Sequence, residues 1–196
     1  MGGKNMIDLV KRRILQNLEV KQAIFSDLAL LRRITKAAEV ILRRIKEEKI
    51  IFFCGNGGSA ADAQHLAAEL QGKFYLERRS MAAISLTTNT SIISAISNDY
   101  DYSYVFSRQL EGLGKRGDVV VGISTSGNSK NILKVFKTAK EMEITTIGLT
   151  GSTGGRMKEL SDILINIPSN DTARIQEAHI LIGHIICEMV EKGMSD

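Results

Sequence analysis

Beyond residue 49 the chain switches repeatedly between short apolar runs and longer segments of mixed polarity, and this alternation constrains the fold more than any other feature. The runs fall at 50–54, 82–86, 119–123, 145–149 and 163–167. Each is too short for a buried helix, and all but the run at 82–86 are rich in the residue types that favour strands. Strands that are apolar along nearly their whole length must be covered on both faces, as in a parallel sheet flanked by helices. The intervening segments are long enough for right-handed crossovers. The pattern therefore predicts an α/β fold, a three-layer α/β/α sandwich around a five-stranded parallel sheet. In such sheets ligands bind beyond the carboxyl ends of the strands, so chemistry is expected in the loops after Cys54, Leu86, Ile123 and Leu149.

Ahead of the first strand, apolar residues recur every three or four positions, at Leu9, Ile14, Leu18 and then Leu28, Leu31, Ile34, Ala38, Ile41 and Ile45. Two helices fit, broken near Ser26, and form a hairpin over 6–49. One face is too apolar for water, so the hairpin must pack on the core or on a neighbouring subunit. The sole proline, Pro168, ends the last strand, and Asp171 or Thr172 can cap a final helix reaching about Lys192. A length of 196 residues suits a single domain, 1–196.

Several function classes drop out. No run approaches the roughly 18 apolar residues of a membrane span, and residues 1–11 lack a signal peptide's apolar stretch. A cytoplasmic protein with no membrane partner is expected. Met6 stands where a myristoylation signal needs Ser or Thr. The net charge of +4 and pI of about 9.1 raise the question of nucleic acid. Yet the basic residues concentrate in the N-terminal helical pattern, interleaved with Glu, and the chain has no Trp and few aromatics on which bases could stack. No nucleic-acid partner is expected. Cys54 and Cys187 have no pairing or metal-ligand spacing and read as buried free thiols.

Chemistry concentrates in three places. The first strand runs into Gly55-Asn56-Gly57-Gly58-Ser59, a glycine-rich turn that exposes backbone amides at a helix start. It can cradle an anion or a sugar, or serve as a plain strand-to-helix turn; its spacing matches neither the dinucleotide fingerprint nor the Walker loop. The third strand ends in Ser124-Thr125-Ser126-Gly127-Asn128-Ser129, hydroxyls gathered at another helix N-terminus. That composition favours a phosphate over a simple cap. Thr150-Gly151-Ser152-Thr153-Gly154-Gly155 could form a further lip. On the helix after the first loop, His65 and Glu69 share a face, about 6 Å apart in rise. They fit an acid–base pair, two metal ligands or a surface pair. Gln176 and His184 share a stripe on the last helix, while His179 points elsewhere. About 12 Å of rise separates Gln176 from His184, which makes joint attachment to one ion demanding and hints that a neighbouring chain completes the site.

Taken together, Gly55 to Ser59, the helix from Ala63 to Leu70, Asn98-Asp99, Ser124 to Ser129, and Ala173-Arg174-Ile175-Gln176-Glu177 with His184 resemble the sugar isomerase (SIS) domain family over nearly the whole chain. Within it they are similar to the branch that isomerises a ketoheptose phosphate. The resemblance implies a flavodoxin-like SIS fold and a homotetramer with active sites at subunit contacts. It implies conversion of sedoheptulose 7-phosphate into an aldose heptose 7-phosphate through a cis-enediol, for lipopolysaccharide core or capsule. It further implies substrate contacts from Asn56, Gly57, Gly58, Ser59, Glu69, Asn98, Asp99, Ser124, Thr125, Ser126, Ser129 and Gln176. Catalysis would fall to Glu69 and His184, and one zinc per subunit to His65, Glu69, Gln176 and His184.

Two rivals share the fold. One is a relative that binds the bacterial replication initiator and lacks residues able to serve as base and acid where this chain has Glu69 and His184. The other is a sugar-phosphate-sensing regulatory domain, which would normally accompany an effector module. The presence of both Glu69 and His184 favours the enzyme.

Overall fold

In the computed structural model, which describes residues 3–195, the five apolar runs become β1 (Ile51–Gly55), β2 (Ala83–Ser85), β3 (Val119–Ser124), β4 (Thr145–Thr150) and β5 (Ile163–Asn166). They form one sheet in the order β2-β1-β3-β4-β5, with every neighbouring pair parallel. This is the expected flavodoxin-like arrangement. Residues 1, 2 and 196 of the expected domain lie outside the described residues. Crossovers leave β1 toward β2 and β3 toward β4, so the loops after β1 and β3 diverge and open a crevice at their carboxyl ends.

Strand alternation divides the apolar side chains between two cores. Ile51 and Phe53 of β1, with Val119, Val121 and Ile123 of β3, face α2 (Leu28–Lys46), α3 (Gly58–Gln71) and α7 (Thr172–Ser195). Phe52, Cys54 and Val120 face the opposite side, where α5 (Ser107–Leu113) and α6 (Lys130–Glu141) pack, with α4 (Thr90–Asp99) at the edge. Both cysteines are free and buried, and burial pushes both thiols up, Cys187 to about 12.

The N-terminal hairpin breaks at Asp27, whose backbone is extended and whose Oδ1 accepts the Leu30 N–H at 2.9 Å, capping α2. α2 buries Leu30, Ile34, Ala37, Ala38, Ile41 and Ile45 against α7 and the sheet. The preceding α1 (Gly3–Ser26) behaves differently. Of its described side chains only Ile24 is buried, and Ile7, Val10, Ile14, Leu15, Leu18 and Phe25 are all more than half exposed. At the other end of the chain Asp171 caps α7, its Oδ1 accepting the Ala173 N–H at 2.9 Å, and the helix runs on to Ser195.

Candidate active site

The glycine-rich loop is tight where β1 turns into α3. A Cβ on Gly55 would collide with the backbone of Ser59, and Gly57 sits at φ +54°, in the left-handed region that glycine tolerates. Gly57 and Gly58 are exposed at the helix start, whereas Ser59 is buried. Asn56 is fixed by side chains from two other segments. Its Nδ2 donates to Asn131 Oδ1 at 3.0 Å, and its Oδ1 accepts from Asn131 Nδ2 at 2.8 Å and from the Tyr102 hydroxyl at 3.1 Å.

The second loop brings its hydroxyls together. Ser124 Oγ lies 2.9 Å from Ser129 Oγ and 3.5 Å from Ser126 Oγ. Ser129 occupies the cap position of α6 but makes no side-chain cap; the Ile132 N–H is taken by Asn131 Oδ1, which leaves the amides of Lys130 and Asn131 for another acceptor. The turn is held by Gly127 at φ +65°, whose Cα packs on the backbone of Gly154 so closely that no side chain would fit. This contact joins the loop after β4 to the one after β3. Thr125, Ser126, Gly151, Ser152, Thr153, Ser169 and Asn170 line an open groove of about 300 Å³ between them.

The third group arises from close packing of α3 on α7. The helices run side by side in the same direction: Gly58 meets Gln176, Leu66 meets Gly183, and His65 meets His184. A Cβ on Gly183 would lie 2.5 Å from Leu66, so glycine sets the approach of the two helices. At this crossing His65 Nε2 is 2.8 Å from His184 Nε2 and 3.2 Å from Glu69 Oε1. Ligand atoms of His65, Glu69 and His184 all lie within 4.8 Å of one another. Two imidazole nitrogens and one carboxylate oxygen converging in this way fit a transition-metal ion, zinc included, with a fourth position left open. Phe74 packs on His184, with ring centroids 5.6 Å apart.

The segment carrying Phe74 is tied down by Glu191. Its buried carboxylate accepts the amides of Phe74, Tyr75 and Leu76 and the Arg78 Nε–H at 2.6–3.0 Å. Arg78 in turn donates to the carbonyls of Glu69, Leu70 and Gly72 at the end of α3. Desolvation raises the Glu191 carboxyl, but those amides and Arg78 outweigh it and hold the group below its ordinary range.

Three expected residues, Asn98, Asp99 and Gln176, do not join the cluster of His65, Glu69 and His184. Asn98 and Asp99 are exposed at the end of α4 and bond to each other at 2.9 Å, with no hydrogen bond to either loop among the described residues. Gln176 rests against Gly58 at the start of α3, about 10 Å of helix rise before His65. His179 points into the core, where its Nε2 lies 3.2 Å from the Thr150 carbonyl, and burial lowers its pKa to about 4. The structure also adds residues that sequence reasoning did not single out: Asn131, Tyr102, Phe74 and Asp62. Burial pushes the Asp62 carboxyl up to about 6, against the pull of His65, and its Oδ2 has no partner among the described residues. The signal for Asn131 was a polar residue in a helix first turn that otherwise turns apolar side chains inward.

Comparison with known proteins agrees with this geometry. The SIS domain model matches residues 18–151. The phosphoheptose isomerase of Clostridium acetobutylicum is 49% identical over 189 residues, covering 96% of each chain. Phosphoheptose isomerase 2 of Campylobacter jejuni is 49% identical over 191 residues, covering 97% of this chain and 95% of that one. A solved phosphoheptose isomerase from Neisseria gonorrhoeae superposes with a TM-score of 0.90 at 42% identity, covering 95% of this chain and 99% of that one. Because likeness of this degree runs end to end and takes in fold and sequence alike, the chain belongs to the SIS domain family and, within it, to the phosphoheptose isomerases.

Proposed function

We propose that the protein interconverts sedoheptulose 7-phosphate and D-glycero-D-manno-heptose 7-phosphate through a cis-enediol, in the cytosol, supplying heptose for lipopolysaccharide core or capsule by way of an ADP- or GDP-activated sugar. The observation that carries the reading is the convergence of Glu69, His65 and His184 on a chain whose other loops offer amides and hydroxyls to a sugar phosphate. Ser124, Thr125, Ser126 and Ser129 hold the phosphate. Asn56, Gly57, Gly58, Ser59, Asn98, Asp99 and Gln176 contact the sugar. Glu69 takes the proton from C1 and returns it at C2, while His184 donates to the C2 carbonyl oxygen and serves the O1 proton in the second half. His65, Glu69 and His184 would hold zinc, one per subunit; Gln176, which on the same chain rests against Gly58, would serve as the fourth ligand only from a neighbouring subunit. A bound zinc would supply a Lewis acid for the carbonyl and neighbouring hydroxyl, and Glu69 and His184 would act as base and acid only through atoms not tied to the ion.

The site is interfacial in a homotetramer. Support comes from the sugar loop and the carboxylate, which on one chain stand about three turns, or about 16 Å of rise, apart along α3. The exposed apolar face of α1 also needs a cover.

The test is to give purified protein sedoheptulose 7-phosphate beside a panel of pentulose and hexulose phosphates and to identify products by NMR. Selective formation of an aldoheptose phosphate is expected; equal turnover of the shorter sugars, or none of the heptulose, would remove the substrate assignment. Elemental analysis should find up to about one zinc per chain, reduced in His65→Ala. Full activity after rigorous chelation would take zinc out of the mechanism.

A further inference from the structure

The assigned roles leave Asn131 unused, although it is one of the few buried polar residues beside the site, at 3% exposure in the first turn of α6. Its Oδ1 accepts two hydrogen bonds, from the Ile132 backbone N–H at 3.0 Å and from Asn56 Nδ2 at 3.0 Å. A backbone N–H can only donate, so Ile132 decides which end of the Asn131 amide is oxygen. Asn131 Nδ2 must then donate to Asn56, as it does at 2.8 Å. Polarity passes on in the same way. Asn56 Oδ1 receives Asn131 Nδ2 and the Tyr102 hydroxyl, at 2.8 and 3.1 Å, and both its lone pairs are occupied. One N–H of Asn56 Nδ2 is left without a partner among the described residues, on a half-exposed side chain at the mouth of the first loop.

We propose that Asn131, with Tyr102, is a positioning residue that fixes Asn56 as a donor and never an acceptor toward substrate. The site then selects, at that point, a sugar oxygen with a free lone pair. A side chain free to flip would instead accept a hydroxyl proton and recognise a different rotamer or epimer. The inference rests on the reading of Asn56 as a sugar contact.

A double-mutant cycle tests it, using sedoheptulose 7-phosphate. Asn56→Ala and Asn131→Ala should each raise KM about 5- to 30-fold, as for loss of one oriented hydrogen bond, with kcat changed less. In the Asn56→Ala background, Asn131→Ala should add nearly nothing to KM while still lowering Tm. Tyr102→Phe alters an exposed residue and leaves the core alone; it should raise KM modestly in the wild type and leave it unchanged in Asn56→Ala. If the effects of residues 131 and 56 multiply as independent factors, Asn131 is merely structural and the proposal is overturned. Where Asn131→Ala fails to fold, the Tyr102 and Asn56 cycle decides by the same criterion. An unchanged KM in Asn56→Ala itself would remove Asn56 from the sugar site, a failure of the underlying reading that is separable from the first.

Discussion

Single residues separate the chemical roles from the structural ones. Glu69→Gln keeps the shape of the side chain but cannot accept a proton as a carboxylate does. Isomerisation should fall by about 10²- to 10⁴-fold, the usual contribution of a general base, against the few tenths of a kcal/mol of an i,i+4 surface pair. Exchange of the C1 proton with deuterated solvent reports enediol formation directly, and wild-type exchange in a correctly assembled variant would eliminate Glu69 as the base. His179 has an opposite character. Its pKa falls to about 4 because burial disfavours the imidazolium, while the unfolded chain titrates near 6.5. Between these values the unfolded state binds more protons, so stability is fully present above about pH 6.5 and is lost as pH falls through 4. The loss is of the order of 3 kcal/mol, from about 1.4 kcal/mol per pKa unit. Asp62, raised to about 6, favours the folded state over the same fall in pH, so the test is a comparison: between pH 7 and pH 4.5, urea unfolding should show a smaller acid loss of stability in His179→Asn than in the wild type.

At the scale of elements, the loop after β3 is where residue type and backbone act as a unit. Its serines turn toward one another instead of capping α6, so their hydroxyls and the amides of Lys130 and Asn131 can face one anion together. Replacing Ser124, Ser126 and Ser129 by Ala should raise KM about tenfold or more through lost charge-assisted hydrogen bonds, with a smaller effect on kcat. Unchanged kinetics would show that the phosphate sits elsewhere. The strands, the last helix's cap and this loop were legible in the sequence because each is a local property: continuous apolar runs, Asp171 before a helix, hydroxyls between a strand and a helix; the Asp27 cap went unread, and only a break near Ser26 was expected. The pairing of His65 with His184 was legible only as two separate helical stripes. What brings them together is Gly183 against Leu66, a contact between positions 117 residues apart (183 − 66) that no local pattern encodes. The Asn56, Asn131 and Tyr102 network escaped for the same reason, since its three members come from three segments. Asn98 and Asp99 carry no visible link to the loops within one chain, and their role rests on family resemblance.

On the scale of the whole molecule, the two N-terminal helices diverge in a way that periodicity alone does not express. Both have apolar residues at helical spacing, yet α2 buries its face on α7 and the sheet while α1 presents Ile7, Val10, Ile14, Leu15, Leu18 and Phe25 to the outside. Next to them, Leu181 and Ile185 of α7 continue the apolar surface into one broad open groove. Leu15 and Leu18 are about half exposed, so each, once buried there by another subunit, would contribute about 1 kcal/mol or a little more to assembly, half of the value for a fully exposed leucine. The double substitution Leu15→Glu with Leu18→Glu replaces that gain by buried charge and should break the proposed tetramer into smaller species while leaving helix content intact. On the proposed interfacial site, activity per chain should fall with the tetramer fraction, because Glu69 and the sugar loop of one chain would then lack the partner that completes the site. Sedimentation velocity and initial rates on the same samples test both statements. A double variant that remains tetrameric and fully active would place the subunit contact away from α1. Small species that kept wild-type kcat/KM would instead show that one chain suffices for catalysis, and the interfacial site would have to be abandoned.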